Sequence, residues 1–205
     1  MESRGKRDPR ERRKTPDRGG PPRPSRDERL SRFLAFLLRH HPEEVGLTLD
    51  EQGAADLDAL TEAIRGRKGL EGVTREHIER LAASGPAAQR FEVLGNRIRA
   101  RYGHSLPQAI QYEEAEPPEH LFHGTTPEGA EKVLAEGLRP ADRQRVHLSI
   151  DTPAAREVGR RRCPDPVILR IDTAGARKAG VRFYHAGPAV WLSDEIPPGC
   201  IARVP

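Results

Sequence analysis

Apolar side chains recur with helical spacing where the predicted ordered part of the chain begins, and this set comprises Leu30, Phe33, Leu34, Leu37 and Leu38. Pro42 indicates where this first helix ends. Two further helices are predicted to begin at the capping residues Asp56 and Thr74. Strand-forming runs on both sides of Gly95 and Asn96 then predict a hairpin. Three helices followed by a hairpin are typical of a winged-helix lobe, which we assign to residues 29–106.

The second half of the chain has a different pattern, in which short strand-forming runs are separated by turns. Residues 107–118 are polar and rich in Pro and Glu, which predicts a linker. Five runs then predict strands at residues 121–122, 146–148, 167–171, 189–192 and 200–204. Helices are predicted at residues 127–136 and 153–161. We therefore expect an α+β protein whose second lobe, residues 119–205, is mainly β.

Charge separates the first 28 residues from the rest of the chain. Residues 1–28 hold ten basic and six acidic side chains and no aliphatic side chain beyond Met1, so we predict a disordered basic tail. This tail carries the whole formal net charge of +4. An anion site in the folded part therefore requires individually placed arginines, because no general positive field is present there.

Cysteine content and hydropathy narrow the class of protein. Cys163 and Cys200 are the two cysteines and form no Cys-x-x-Cys pair, so neither a disulfide framework nor a metal site is predicted. No apolar run approaches the roughly 18 residues of a membrane span. We expect a cytoplasmic, monomeric protein with no membrane partner and no metal.

Motifs of phosphate loops, dinucleotide-binding folds and serine nucleophiles are missing from the sequence. Candidate chemistry lies instead in four short patterns that contain Arg or His. Arg presents a planar fork that binds two phosphate oxygens, and His exchanges a proton near neutral pH. The patterns are Arg39-His40-His41-Pro42 at the end of the first helix, Gln89-Arg90-Phe91 at the hairpin, His123-Gly124-Thr125 after a strand, and Arg143 followed by His147-Leu148-Ser149.

Each pattern also has a purely structural explanation. Cations at a helix C-terminus complement the helix dipole, which accounts for Arg39 and His40 without any ligand. An arginine beside a hairpin is most often solvated, and a lone histidine after a strand is usually structural. In the functional interpretation, Gly124 lets a ligand approach the backbone and Thr125 offers a hydroxyl beside a helix start. The residues taken singly leave both explanations open.

Nine blocks that occur in order after residue 28 resemble the NAD-dependent RNA 2′-phosphotransferases, the KptA-like family known from tRNA splicing. The blocks are LSRFLAFLLRHHPEEVGLTLD at 30–50, QRF at 89–91, IRA with GHS at 98–105, FHGT at 122–125, EGL at 136–138, VHLS at 146–149, VILRID at 167–172, FY at 183–184 and VWLSDEIPP at 190–198. This resemblance implies a winged-helix-like N-terminal lobe, an ADP-ribosyltransferase-like C-terminal lobe and an active site between them.

The resemblance also implies the reaction and the residues that carry it. An internal 2′-phosphate of a tRNA-like RNA is transferred to NAD through an ADP-ribosylated 2′-phosphate intermediate. The products are RNA with a 2′-hydroxyl, nicotinamide and ADP-ribose 1″,2″-cyclic phosphate, and no metal is needed. The implied catalytic residues are Arg39, His40, Arg90 and Arg143, and the implied NAD-binding residues are His123, Gly124, Thr125, His147 and Ser149.

The chain departs from the family pattern at three places. Arg101-Tyr102 stands where Asn-Gln is frequent, Arg145 where His is frequent, and residues 185–188 where a Ser-x-Asn-Gly run is frequent. Two other functions stay open at this point. One is an ADP-ribosyltransferase that modifies a nucleic-acid phosphate end or a protein, and the other is a winged-helix nucleic-acid binder without catalytic activity.

Overall fold

Helices and two antiparallel sheets make up the part of the chain that the computed structural model describes, residues 24–204. This arrangement confirms the predicted α+β class. The helices are α1 Arg26–Arg39, α2 Leu57–Arg65, α3 Arg75–Ala83, α4 Gly85–Ala88, α5 Pro127–Glu136, α6 Thr152–Gly159 and α7 Thr173–Lys178. The strands are β1 Ala54–Asp56, β2 Phe91–Leu94, β3 Arg97–Ala100, β4 His120–Thr125, β5 Val146–Ser149, β6 Val167–Asp172, β7 Phe183–Gly187, β8 Val190–Ser193 and β9 Ile201–Arg203.

The first helix begins earlier than the sequence pattern predicted. Ser25 accepts a hydrogen bond from the Glu28 backbone at 3.1 Å, and the Glu28 carboxylate accepts one from the Ser25 N–H at 2.8 Å. This capping box starts α1 at Arg26, so the predicted boundary between tail and fold at residue 28 is wrong by a few residues. The predicted disorder of residues 1–23 lies outside the described residues.

The first sheet has the strand order β1-β3-β2 and packs against α1, α2 and α3. The predicted hairpin is confirmed, with Gly95 at a positive φ of 59° in the turn between β2 and β3. Both predicted caps are also present, since Asp56 accepts from Ala59 N–H and Thr74 from His77 N–H. The leucines of the predicted first helix are buried in this core, together with Leu57, Leu60, Ile64, Ile78, Phe91 and Ile98.

The second sheet has the strand order β7-β8-β5-β4-β6-β9, and all of its pairs are antiparallel. Helix α5 lies at the predicted residues and α6 ends two residues earlier than predicted. Strand β7 was not predicted and forms one edge by pairing with β8. The buried core of this sheet includes Leu121, Leu148, Leu169, Ile171, Phe183 and Trp191.

The segment predicted as a linker, residues 107–118, is irregular and mostly exposed, and it is anchored to the fold at a few positions. Ile110 is only 2% exposed, and its backbone N–H donates to the Gln144 side chain at 2.9 Å. Glu114 bridges Tyr184, and the Ala115 N–H donates to the Phe183 carbonyl at 2.9 Å. The segment therefore contacts β7 and the loop before β5, and on the other side the Gln111 N–H donates to the Glu51 carbonyl, ahead of β1, at 2.9 Å. No helix within residues 24–204 is long and apolar enough to cross a membrane.

Candidate active site

The C-terminal end of α1 lies against the loop of residues 101–106 that follows β3. The Ser105 N–H donates to the Arg39 carbonyl at 3.0 Å, and His40 Nδ1 lies 2.7 Å from Ser105 Oγ. Gly103 has a positive φ of 93°, and a Cβ there would come within 3.4 Å of the Arg39 guanidinium. A residue with a side chain is therefore disfavoured at this position, because it would be strained and would crowd Arg39.

The Arg39 guanidinium is held over the Tyr102 ring, 5.0 Å from its centroid. Its Nε and Nη2 atoms are buried and have no hydrogen-bond partner among residues 24–204. Burial lowers the pKa of Arg39, and the nearby charges of Arg90 and Arg143 lower it further. Burying a hydrogen-bond donor without an acceptor costs free energy. A bound anion would supply the acceptors that Arg39 Nε and Nη2 lack.

Two other predicted catalytic residues, both arginines, lie around Arg39. Arg90 directly precedes β2, and its Nη1 donates to Ser31 Oγ of α1 at 3.2 Å. Arg143 lies in the loop before β5. The charge of Arg143 contributes to lowering the pKa values of Arg39, His40 and His147, so its field reaches all three groups. The predicted set of catalytic cations is therefore brought together.

The two histidines at the end of α1 face different surroundings. Burial and the charge of Arg39 are the main causes that lower the pKa of His40. His41 points away from the arginines, because its ring packs 4.8 Å from Phe36 and its Nδ1 binds Glu43. His40 is thus the histidine of this pair that belongs to the site.

Gln144 positions this cluster, and the sequence reasoning missed it. Its Nε2 donates to the carbonyls of Leu106 and Gln108, each at 2.7 Å, and its Oε1 accepts from Ile110 N–H at 2.9 Å. Its backbone N–H donates to the His104 carbonyl at 3.1 Å. These four bonds join the loop that carries Arg143 to the segment that follows Ser105. Only the three-dimensional contacts reveal this role, because an isolated glutamine in a loop carries no recognisable pattern.

His104 belongs to the Gly-His-Ser block that stood out in the sequence, but it was not assigned a catalytic or binding role there. It is 2% exposed, its Nδ1 lies 2.8 Å from Tyr112 Oη, and its Nε2 has no partner among the residues described. Burial lowers the pKa of His104 to about 4 and raises that of Tyr112 to about 12, so both are neutral at pH 7. The Gly-His-Ser block of the sequence was the available signal for this residue.

His123 and His147 lie side by side at neighbouring strands β4 and β5. His123 Nδ1 donates to the His147 carbonyl at 3.0 Å, and His147 Nδ1 donates to the Arg145 carbonyl at 3.0 Å. Burial, aided by Arg143, lowers the pKa of His147 to about 3, and burial also lowers that of His123. Both imidazoles are therefore neutral, and each keeps Nε2 as an acceptor. The Nε2 of His147 is buried, and no described residue donates to it.

The remaining predicted NAD-binding residues have local structural roles. A Cβ at Gly124 would lie 2.0 Å from the Ala155 carbonyl oxygen, so this glycine is required for the close packing of α6 on β4. The sequence had suggested ligand access as the reason for this glycine. Thr126, rather than Thr125, caps α5 by accepting from Gly129 N–H. Ser149 ends β5 and is buried opposite Phe122 and Val190.

Two of the family departures have visible structural roles. Tyr102 lies under Arg39 and meets the His147 ring edge-on at 5.9 Å, so it links the end of α1 to β5. Arg145 donates to Asp194 at 2.8 Å and lies over the Tyr184 ring. Residues 185–187 belong to β7 and include a bulge between His185 and Gly187.

The assembled site is rich in cations and poor in carboxylates. Arg143 is an exposed residue, but partial burial of its guanidinium lowers its pKa, and the charges of Arg162 and Arg161, in the turn after α6, lower it further. Within residues 24–204, no three potential metal-ligating side chains come together. The arrangement can bind an anion with guanidinium donors and can accept hydrogen bonds from hydroxyl groups at two neutral imidazoles.

Comparisons with known proteins agree with this chemistry. The family model described as RNA 2′-phosphotransferase, Tpt1 / KptA family, matches residues 25–195. A protein named "Probable RNA 2′-phosphotransferase" from Thermococcus kodakarensis is 40% identical over 174 residues, which cover 85% of this chain and 95% of that protein. Proteins of the same name from Bacillus thuringiensis and Streptomyces coelicolor are also 40% identical, over 84% of this chain and 93% and 92% of their own lengths. The chain therefore belongs to the RNA 2′-phosphotransferase family.

Proposed function

We propose that this protein removes an internal 2′-phosphate from RNA by transferring it to NAD. The observation that carries the proposal is the Arg39 guanidinium, whose buried Nε and Nη2 lack acceptors among the described residues beside Arg90, Arg143 and His40. A 2′-phosphate supplies acceptor oxygens and negative charge, and several arginines can bind these oxygens together. Family membership supports RNA as the source of that phosphate.

The residues on β4 and β5 fit a ribose-containing co-substrate. A ribose presents hydroxyl donors, and the buried Nε2 of His147 is an acceptor that residues 24–204 leave unfilled. His123 presents a second neutral acceptor beside it. We therefore propose His123, Gly124, Thr125, His147 and Ser149 as the NAD site. When bound, NAD supplies an electrophilic ribose carbon that releases nicotinamide and a neighbouring hydroxyl that accepts the phosphoryl group.

The proposed reaction passes through an RNA 2′-phosphate that is joined to ADP-ribose. In the first step a 2′-phosphate oxygen forms the bond to ribose C1″ while the bond to nicotinamide breaks. This oxygen is already anionic, so the enzyme needs to position it rather than to deprotonate it. In the second step the ribose 2″-hydroxyl oxygen forms a bond to phosphorus and gives up its proton, while the bond between phosphorus and the RNA oxygen breaks and that oxygen takes up a proton. Negative charge then develops around phosphorus, where Arg39, Arg90 and Arg143 can stabilise it.

His40 is placed to handle the proton of the second step. Its Nδ1 is engaged by Ser105, so Nε2 is the nitrogen available to a phosphate or to the departing RNA oxygen. Burial and Arg39 keep the pKa of His40 low in the free enzyme. The anionic phosphodiester of the intermediate would offset the arginine charges and raise that pKa, which would allow His40 to protonate the leaving oxygen.

The two sheets correspond to the two proposed lobes. The order helix, strand, three helices and hairpin around the first sheet supports a winged-helix lobe that binds RNA phosphate. The second sheet, which carries His123 and His147, supports an ADP-ribosyltransferase-like lobe. We further propose a monomeric, cytoplasmic enzyme that acts on tRNA-like RNA without a metal, on the basis of the family resemblance.

The proposal is tested by incubating the full chain with NAD and an RNA oligonucleotide that carries one internal 2′-phosphate. We expect nicotinamide release, a 2′-hydroxyl product and ADP-ribose cyclic phosphate in equal amounts. A stable ADP-ribosylated RNA or protein would instead indicate an ADP-ribosyltransferase, and RNA binding without NAD consumption would indicate a non-catalytic binder.

Single-turnover reactions of Arg90→Ala and Arg143→Ala test the assignment of the arginines to the second step. Loss of one donor to a developing oxyanion costs roughly 10²–10³ in rate, so we expect the ADP-ribosylated RNA intermediate to accumulate. Arg177→Ala, which removes an exposed arginine paired with Glu116, is the matched control. If the two site variants stall before any intermediate forms, the arginines act in binding or in the first step.

A further inference from the structure

An open cleft of about 630 Å³ lies between the N-terminal half of α1 and the corner formed by α3 and α4. Three arginines line it, Arg32 from α1, Arg80 from α3 and Arg90 before β2. Arg90 is the residue that this cleft shares with the candidate active site. The other two arginines have no part in the chemistry of the proposed reaction.

The charge balance of the cleft favours an anion. Asp27 and Glu28 also line it, but Asp27 binds His77 Nε2 at 2.8 Å and Glu28 accepts from the Ser25 N–H in the capping box. Neither carboxylate binds the arginines of the cleft. Across residues 24–204, the ion pairs that form engage other arginines and leave these three unneutralised. Arginines without carboxylate partners are available for phosphate oxygens.

The cleft is connected to the active site by α1 itself. Arg32 and Arg39 are seven residues apart, which places them on the same face and about 10 Å apart along the helix axis. Arg90 lies between the two regions, and its bond to the buried Ser31 fixes it to that helix. An RNA strand whose 2′-phosphate lies at Arg39 can therefore extend along α1 into the cleft.

We propose that this cleft binds a backbone phosphate of a nucleotide that neighbours the 2′-phosphate, with Arg32 and Arg80 as its donors. The proposal rests on the proposed function, because it concerns the same RNA strand. It assigns Arg32 and Arg80 to substrate binding and not to chemistry. It also implies that the enzyme recognises more of the RNA than the phosphate that it removes.

The test compares two substrates that differ in whether they carry flanking phosphates. One is a hexanucleotide RNA with an internal 2′-phosphate, and the other is adenosine 2′-phosphate, which has no flanking phosphate. For Arg32→Ala and Arg80→Ala we expect kcat/KM on the hexanucleotide to fall about tenfold, through a higher KM, because a bond to a charged group is removed. On adenosine 2′-phosphate we expect no change beyond about twofold, since that substrate leaves the cleft empty. Arg177→Ala is the control for removing an arginine elsewhere.

Binding measurements separate this proposal from the proposed function. The dissociation constant of the 2′-phosphorylated hexanucleotide should rise about tenfold in Arg32→Ala and Arg80→Ala, whether or not turnover occurs. The slope of log K against log salt should become shallower by about 0.7 for each RNA phosphate that no longer has an arginine partner. Arg80→Lys should keep most of the affinity, since an ammonium also binds phosphate. Unchanged affinity, or equal kcat/KM losses on both substrates, would overturn the proposal.

Discussion

Three buried nitrogen atoms without hydrogen-bond partners indicate which kinds of ligand group the candidate site can bind. Arg39 Nε and Nη2 and His147 Nε2 are buried and have no partner among the described residues. The first two are donors and the third is an acceptor, so they call for ligands of opposite kinds. A phosphate can accept hydrogen bonds from the two Arg39 atoms, and a hydroxyl group can donate one to His147 Nε2. This complementarity supports the proposed pairing of a phosphorylated RNA with a ribose-containing co-substrate.

His104 should make the fold sensitive to acid. Its folded pKa is about 4, below the ordinary 6.5, so the unfolded chain binds the extra proton between these values. Stability from this residue is therefore fully present above about pH 6.5 and is lost as pH falls towards 4. Between pH 7 and pH 5 we expect its contribution to the free energy of unfolding to drop by about 2 kcal/mol.

Urea unfolding of the wild type and His104→Gln at pH 7 and pH 5 measures this difference. The variant should show the smaller drop, since glutamine does not titrate. His185→Gln removes an exposed histidine of β7 and is the control that should behave like the wild type. Identical pH dependence in the wild type and His104→Gln would contradict the prediction.

Helices and strands whose own residues mark their ends or periodicity were predictable from the sequence. Elements that form because a neighbouring segment pairs with them were not. Helix α5 has Pro at its first position and Gly after its last, and it lies at the predicted residues. Strand β1 is only three residues long and forms because β3 pairs with it. Strand β7 contains the bulge, and α7 has only six residues, one of them Gly175. Neither has the alternation or periodicity that identifies such elements in a sequence.

The close contact between β4 and α6 is possible because Gly124 has no side chain. We expect Gly124→Ala to destabilise the fold by about 3 kcal/mol, because its Cβ would overlap the Ala155 carbonyl of α6. Gly199→Ala, where a Cβ meets open space, should change stability by less than about 0.5 kcal/mol.

Chemical denaturation of the two glycine variants without ligand makes the comparison. A packing role requires the loss of stability in the free protein. If Gly124→Ala keeps wild-type stability and loses only NAD affinity, ligand access is the reason for this glycine, as the sequence had suggested.

The candidate residues of the site could be named from the sequence only through the family resemblance, and their assembly in three dimensions could not be predicted. The family resemblance implied Arg39, His40, Arg90 and Arg143 as catalytic residues, and the structure places the charges of Arg90 and Arg143 close enough to Arg39 to lower its pKa. The bonds that hold them there join positions more than 30 residues apart, as between Gln144 and Leu106. Such long-range hydrogen bonds produce no recognisable residue pattern in a sequence, because they depend on how the two sheets are placed.

Gln144 should therefore affect both the stability of the fold and the catalytic rate. Gln144→Ala leaves the Ile110 N–H and the carbonyls of Leu106 and Gln108 without partners, which should cost about 2 kcal/mol of stability. The loop that carries Arg143 would also lose its anchor. We expect kcat to fall by about tenfold or more, because a misplaced arginine stabilises the developing charge less well. Gln144→Glu keeps the acceptor but not the donors, so it should rescue little.

The measurement is kcat and KM at a temperature where urea unfolding shows the variant to be fully folded. Gln111→Ala removes an exposed glutamine whose side chain reaches only Glu51, and it should match the wild type in both constants. A merely structural role for Gln144 would reduce the folded fraction and leave the kcat of the folded molecules unchanged. A fall in kcat with full folding would instead show that this side chain, whose bonds go to Leu106, Gln108 and Ile110, sets the position of Arg143. That result would establish that the link between the two sheets is part of the catalytic apparatus.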